Sequence, residues 1–248
     1  MSNDALFILH SGLPREGPGS NASTLEAIRR LPPLPSAPRI VDIGCGPGKQ
    51  TLVLARTFRA PVIAVDIHEP YLEQLKEAAV KTGLSQFIET RNVSMDALDL
   101  PAESIDLIWS EGAAYILGVS RALRVWRPFL RAGGLVAFTE ATWLTEAPPE
   151  EAAAFFREEY PEMATVDENR RRAGAAGYEV SDAFALPLED WWTEYYTPLR
   201  ERITALRARG DRDADLAAEM EATEREIDIY TRYGDSFGYV FYLLRKKG

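Results

Sequence analysis

Arg39-Ile40-Val41-Asp42-Ile43-Gly44-Cys45-Gly46-Pro47-Gly48-Lys49-Gln50-Thr51 is the stretch that decides the fold. A β-branched apolar run breaks into three alternating glycines and resumes as Thr51-Leu52-Val53-Leu54-Ala55. This is the profile of a buried parallel strand, a tight turn and the start of a helix. Glycines at such a turn allow positive φ and leave no Cβ between a ligand and the backbone. The following helix offers its unpaired N–H groups to an anionic part of that ligand. The dinucleotide fingerprint G-x-G-x-x-G, counted from Gly44, needs a glycine where this chain has Lys49. The pattern is instead D-x-G-x-G-x-G, with Asp42 at the strand end, which suits an ammonium group and not a pyrophosphate. The bland alternative is a turn that serves chain reversal alone.

Working outward, 248 residues fit one large α/β domain, expected over 1–248, better than two small ones. A formal net charge of −10 disfavours nucleic acid as a partner. Cys45 is the only cysteine, so an internal disulfide is ruled out and a reducing compartment is the natural assumption. The start Met1-Ser2-Asn3-Asp4 lacks a basic leader region and no apolar run approaches a membrane span. A cytoplasmic protein without a membrane partner is expected, with a homodimer left open.

Residues 1–38 read as an approach segment. Ala5–Leu9 is a short helix or strand, Arg15–Ser20 a glycine loop and Thr24–Arg30 a helix ended by the prolines at 32, 33 and 35. Pro61–Asp66 is a second buried strand ending in a carboxylate. Asp66 lies about 20 residues past the glycine turn, where a βαβ unit places an acid on a ribose diol. Tyr71–Ala79 has helical periodicity, Gln86–Arg91 is a third strand, and Ser94-Met95-Asp96 sits in the loop beyond it. Asp96 is either a turn or capping residue or an acceptor for an exocyclic amine, with Met95 over the ring. Ser104–Trp109 is the fourth strand and Gly133–Glu140 the fifth. Alternating strands and helices imply a parallel doubly wound sheet. Ligands sit at the carboxyl ends of such strands, where Gly44, Asp66, Asp96, Glu111 and Glu140 fall.

Together the Val41–Gly48 turn, the Asp66 strand end, the Met95-Asp96 loop and the Gly133-Gly134 strand resemble the class I S-adenosylmethionine-dependent methyltransferases. Glu16–Ser20, Trp109–Tyr115 and Trp192–Glu194 are similar to a bacterial subgroup acting on small molecules. The resemblance implies S-adenosyl-L-methionine as cofactor, S-adenosyl-L-homocysteine as product, and a Rossmann-like sheet of seven strands, the last antiparallel, with helices on both faces. It implies that Gly44, Cys45 and Gly46 hold the methionine moiety and that Asp42 lies near its ammonium, directly or through water. Asp66 would bind the ribose, Ile67 pack on the adenine, Asp96 take its amine and Glu111 close the methionine end. Gln50 and Thr51 would contact the carboxylate.

Ala175–Pro187 reads as a helix end and sixth strand, and Phe237–Leu244 as the seventh. Two insertions, 148–172 and 188–234, are expected to form a helical cap that sets substrate choice. Tyr115, Glu140, Trp143, Trp192 and Tyr195 are the candidate substrate residues, as walls for an aromatic substrate or a cationic amine; ordinary cap packing is the alternative. Glu224-Arg225-Glu226 and Arg170-Arg171-Arg172 read as solvated helix faces. His10, Glu111 and Tyr115 are candidate catalytic groups, needed only if the acceptor must lose a proton. No metal site is apparent. Methyl transfer to a small-molecule N or O acceptor is the leading function. A non-catalytic S-adenosylmethionine-binding protein and a nucleotide-dependent oxidoreductase are the alternatives.

Overall fold

A computed structural model describes residues 3–210 and 213–248. Its strands are β1 Ile40–Ile43, β2 Val62–Asp66, β3 Ile88–Asn92, β4 Ile105–Ser110, β5 Leu130–Trp143, β6 Ala164–Thr165, β7 Tyr178–Ala185 and β8 Phe237–Lys246. The helices are α1 Asn3–His10, α2 Asn21–Arg30, α3 Lys49–Phe58, α4 Glu69–Thr82, α5 Val119–Trp126, α6 Glu150–Glu159, α7 Val166–Ala175, α8 Glu189–Trp191, α9 Thr197–Ala208 and α10 Ala214–Tyr233. The sheet order is β3-β2-β1-β4-β5-β8-β7, with the two-residue β6 beside β5. Strands β1 to β5 pair in parallel, whereas β8 runs antiparallel to both β5 and β7. The expected seven strands are present, and β6 is an addition that two residues of sequence do not announce.

Strand β1 is buried at every position because helices cover both faces of the parallel sheet. Helix α5 shows the matching logic, since Val119, Ala122, Leu123 and Trp126 are buried at i, i+3, i+4 and i+7. One core face gathers Val41, Ile108, Trp126 and Phe138, and the other gathers Ile40, Leu107, Trp109 and Phe241.

A third apolar cluster forms the cap, from α1, α6, α8, α9 and α10. Here the expected boundaries change. Helix α7, in the second half of 148–172, packs on β7 and α5 as an ordinary sheet-covering helix. Its Asn169 donates to the Tyr242 hydroxyl in a buried network. The approach segment instead joins the cap, with α1 packed on α9 and α10. Among the described residues no helix is long and apolar enough to cross a membrane.

Candidate active site

The turn between β1 and α3 is shaped by contacts that exclude side chains. Gly44 has φ +68°, and a Cβ there would stand 2.4 Å from the Ala113 Cβ. Gly48 has φ +83°, and a Cβ would meet Leu75 at the same distance. The Gly44 and Cys45 N–H groups both donate to the Val65 carbonyl, at 2.8 and 3.0 Å, and the Gly46 N–H donates to Asp66 Oδ2 at 2.9 Å. The turn is thereby tied to the end of β2. The N–H groups left over belong to the first turn of α3, at Lys49 and Gln50.

The turn and Gln50 line one cavity of about 660 Å³, within the range of small-molecule sites. Gly44, Cys45, Gly46, Gln50, Asp66, Ile67, Met95, Asp96 and Glu111 all line it, as expected. Asp66 Oδ1 also accepts the His68 N–H at 2.9 Å, which orients the carboxylate and leaves each oxygen a further lone pair. Ile67 is 60% exposed at the mouth, an apolar face without a protein partner. Asp96 accepts from the Ser94 hydroxyl and from Arg121, and both hold its carboxyl below the usual range.

Two expected cofactor residues stand behind the cavity wall. Asp42 and Thr51 are fully buried, with the Thr51 hydroxyl donating to Asp42 Oδ2 at 2.5 Å. Burial pushes the Asp42 carboxyl up to about 7, and its Oδ1 has no partner. The pair therefore braces the turn from beneath, with no exposed surface for direct contact.

Glu111 joins the sheet edge to the approach segment. It accepts from the Trp109 indole N–H at 2.9 Å, the Thr24 hydroxyl at 2.7 Å and Arg15 at 3.1 Å. The buried Arg15 guanidinium also donates to Glu194 at 2.8 Å and to Asn21 at 3.0 Å. One side chain thus ties together the N-terminal segment, β4 and the cap. His10 lines the cavity with Nδ1 3.0 Å from Glu16 Oε2, which also accepts the Tyr71 hydroxyl at 2.5 Å. The other Glu16 oxygen is buried and unpartnered.

The substrate candidates divide. Tyr115 and Tyr195 line the cavity, whereas Glu140, Trp143 and Trp192 do not. Trp143 ends β5 and packs edge-to-face on Phe156 and Phe237. Trp192 packs on Tyr196 and Tyr230. Both are cap adhesive. Glu140 is 2% exposed, neither oxygen has a hydrogen-bond partner, and burial pushes its carboxyl up to about 8.

Arg15, Glu16, Tyr239 and Glu226 were not expected in the lining. Glu226, read from the sequence as part of a solvated face, points inward. On α10 the residues Glu219, Ala222, Thr223 and Glu226 follow helical spacing and together face the cavity. Its neighbours Glu224 and Arg225 point outward to Arg207 and Glu158. The i, i+3, i+4, i+7 spacing of the inward-facing small or polar residues was the available signal. Trp192–Tyr196 forms a wide π-helical turn, the kind of irregularity often found at functional sites. It sends Glu194 to Arg15, Tyr195 to the cavity and Tyr196 to Glu226.

Comparison with known proteins agrees with this geometry. Residues 41–138 match a methyltransferase domain. A dimethylglycine N-methyltransferase of Parasynechococcus marenigrum is 31% identical over 109 residues, 44% of this chain and 39% of that protein, so the match spans well under half of the relative. A 27-O-demethylrifamycin SV methyltransferase of Amycolatopsis mediterranei is 24% identical over 86% of this chain and 79% of its own length. A crystal structure of a Geobacter sulfurreducens SAM-dependent methyltransferase in complex with S-adenosyl-L-homocysteine superimposes with a TM-score of 0.80. It covers 98% of each chain at 21% identity. Residues 41–138 thus carry a methyltransferase domain, and the fold of the whole chain is the one seen in S-adenosylmethionine-dependent methyltransferase structures.

Proposed function

We propose that this chain transfers a methyl group from S-adenosylmethionine to a nitrogen or oxygen of a small molecule by in-line displacement. The observation that carries the reading is one cavity with a cofactor-shaped end and a capped end. At the first, the Asp66 carboxylate, the exposed Ile67 face and Gln50 at the start of α3 converge. At the second, the cap helices close over the sheet edge. Bound S-adenosylmethionine supplies a methyl group on a cationic sulfur with a neutral thioether as leaving group.

The residues present fit that cofactor. Asp66 has lone pairs for two ribose hydroxyls, and Ile67 and Met95 offer apolar faces to a purine. Asp96 can accept from the exocyclic amine. Glu111 is placed for an ammonium and the start of α3 for a carboxylate. The protein's main task is then to align donor and acceptor and to keep water out. Calorimetric titration with S-adenosylhomocysteine and, separately, with NAD tests the assignment. Binding of the first alone is expected; binding of NAD alone would return the chain to the oxidoreductase reading. Formation of S-adenosylhomocysteine in the presence of amine and phenol acceptors then tests catalysis.

A further inference from the structure

The capped end of the cavity has a chemistry of its own. Tyr115 beyond β4, Tyr160 at the end of α6, Tyr195 in the π-helical turn and Tyr239 on β8 all line it. The Tyr115 and Tyr160 rings meet edge to face at 5.8 Å. Tyr195 is 8% exposed, yet neither its hydroxyl nor those of Tyr115 and Tyr239 has a hydrogen-bond partner among the described residues. The Tyr160 hydroxyl is buried beside the Glu140 carboxylate, without a hydrogen bond of ordinary length. Glu226 faces the same space. Its Oε1 accepts the Tyr196 hydroxyl at 2.7 Å, and its Oε2 has no partner.

Charge discriminates among possible occupants. Among the described residues the whole cavity is lined by seven carboxylates and one guanidinium. That guanidinium, Arg15, is already held by Glu111 and Glu194, and His10 by Glu16. An anionic acceptor would meet repulsion, and a neutral apolar one would leave Glu226 and the hydroxyls unpaired at a desolvation cost. A cation would pair with Glu226 and lie against aromatic faces, which attract positive charge.

We propose that the methyl acceptor is an amine that enters as its ammonium ion, seated on Glu226 and enclosed by Tyr115, Tyr160, Tyr195 and Tyr239. This rests on the methyltransferase reading above. Transfer of one proton to the Glu226 carboxylate breaks an N–H bond and forms an O–H bond. The nitrogen is then neutral and has the lone pair that attack on a methyl group requires. Burial already favours the protonated form of Glu226.

The test uses the full chain saturated with S-adenosylhomocysteine and three probes of matched shape: choline, its neutral carbon isostere neohexyl alcohol, and anionic tert-butylacetate. Choline has no N–H and no lone pair on nitrogen, so it reports binding alone. Calorimetry is expected to show choline bound about tenfold or more tighter than the alcohol, with the carboxylate weakest. Glu226→Gln keeps the shape and should erase the preference while leaving S-adenosylhomocysteine affinity unchanged. Tyr115→Ala, at a ring 47% exposed, should weaken choline severalfold and does not depend on Glu226→Gln folding. Equal affinity for choline and the alcohol, a preference for the carboxylate, or an unchanged preference in Glu226→Gln would overturn the proposal. Failure of S-adenosylhomocysteine itself to bind would instead overturn the methyltransferase reading.

Discussion

The two ends of the cavity are built by different means. At the proposed cofactor end the glycine turn and Asp66 are tied to backbone. Asp66 accepts the Gly46 and His68 N–H groups, and the turn's own N–H groups hold β2. At the capped end the side chains come from four distant segments, and their hydroxyls are unpaired. A main-chain scaffold presents one geometry whatever the distant sequence does. A side-chain enclosure depends on long-range packing, and its unmet hydrogen bonds await a ligand. The first arrangement suits a constant ligand and the second a variable one.

The contrast can be broken most directly at Arg15, the ion that joins the ends. Arg15→Met strands the buried Glu111 without its cation and should lower stability by about 3–5 kcal/mol in urea unfolding, the range for a halved buried pair. Retention of wild-type stability would mean that the cap does not depend on this link.

Next in size is Glu140, buried beside the capped end. Its folded-state pKa lies above the unfolded one, so the folded state binds the extra proton between pH 4.5 and about 8. That stability is present below the lower value and is lost as pH rises through the upper one. Glu140→Gln should remove this part of the slope and be more stable than wild type at pH 8 and above by on the order of 3 kcal/mol. Thermal melts of both proteins across that window check it. Asp42 contributes a slope of the same sign to both and cancels in the comparison.

Asp66→Ala sharpens the comparison from the other side. It should weaken S-adenosylhomocysteine binding by about 1–3 kcal/mol, whereas Trp192→Ala, which packs within the cap, should leave that affinity unchanged. Unchanged affinity in Asp66→Ala would sink the ribose assignment. The smallest effect is expected for Arg121→Ala. Its ion pair with Asp96 is 58% exposed on the arginine side, so stability should change by no more than about 1 kcal/mol.

The proposed cofactor end was legible in the sequence as far as its glycine turn and Asp66, which sit at fixed places in a βαβ unit. Asp66 must end β2, and Gly44 and Gly46 must lie between β1 and α3, so residue order alone brings them to one edge. Asp42 and Thr51 lie one layer beneath the cavity wall: the sequence has them at the turn, but only the packing of α3 shows them facing each other there. In the cap, aromatic residue type did not separate Tyr195 from Trp192, three positions apart on the same turn. One lines the cavity and the other packs on Tyr230.

The sequence by itself therefore determined the sheet, its order of βα units and the class of ligand its carboxyl edge can hold. Periodicity and glycine spacing are local properties that the backbone enforces. Only the tertiary structure decided that α1 belongs to the cap, that Arg15 bridges β4 and the cap, and that Glu226 turns inward while Glu224 and Arg225 turn out. Those outcomes depend on which helix faces meet across the fold; the spacing on α10 marks a face but does not say what that face meets.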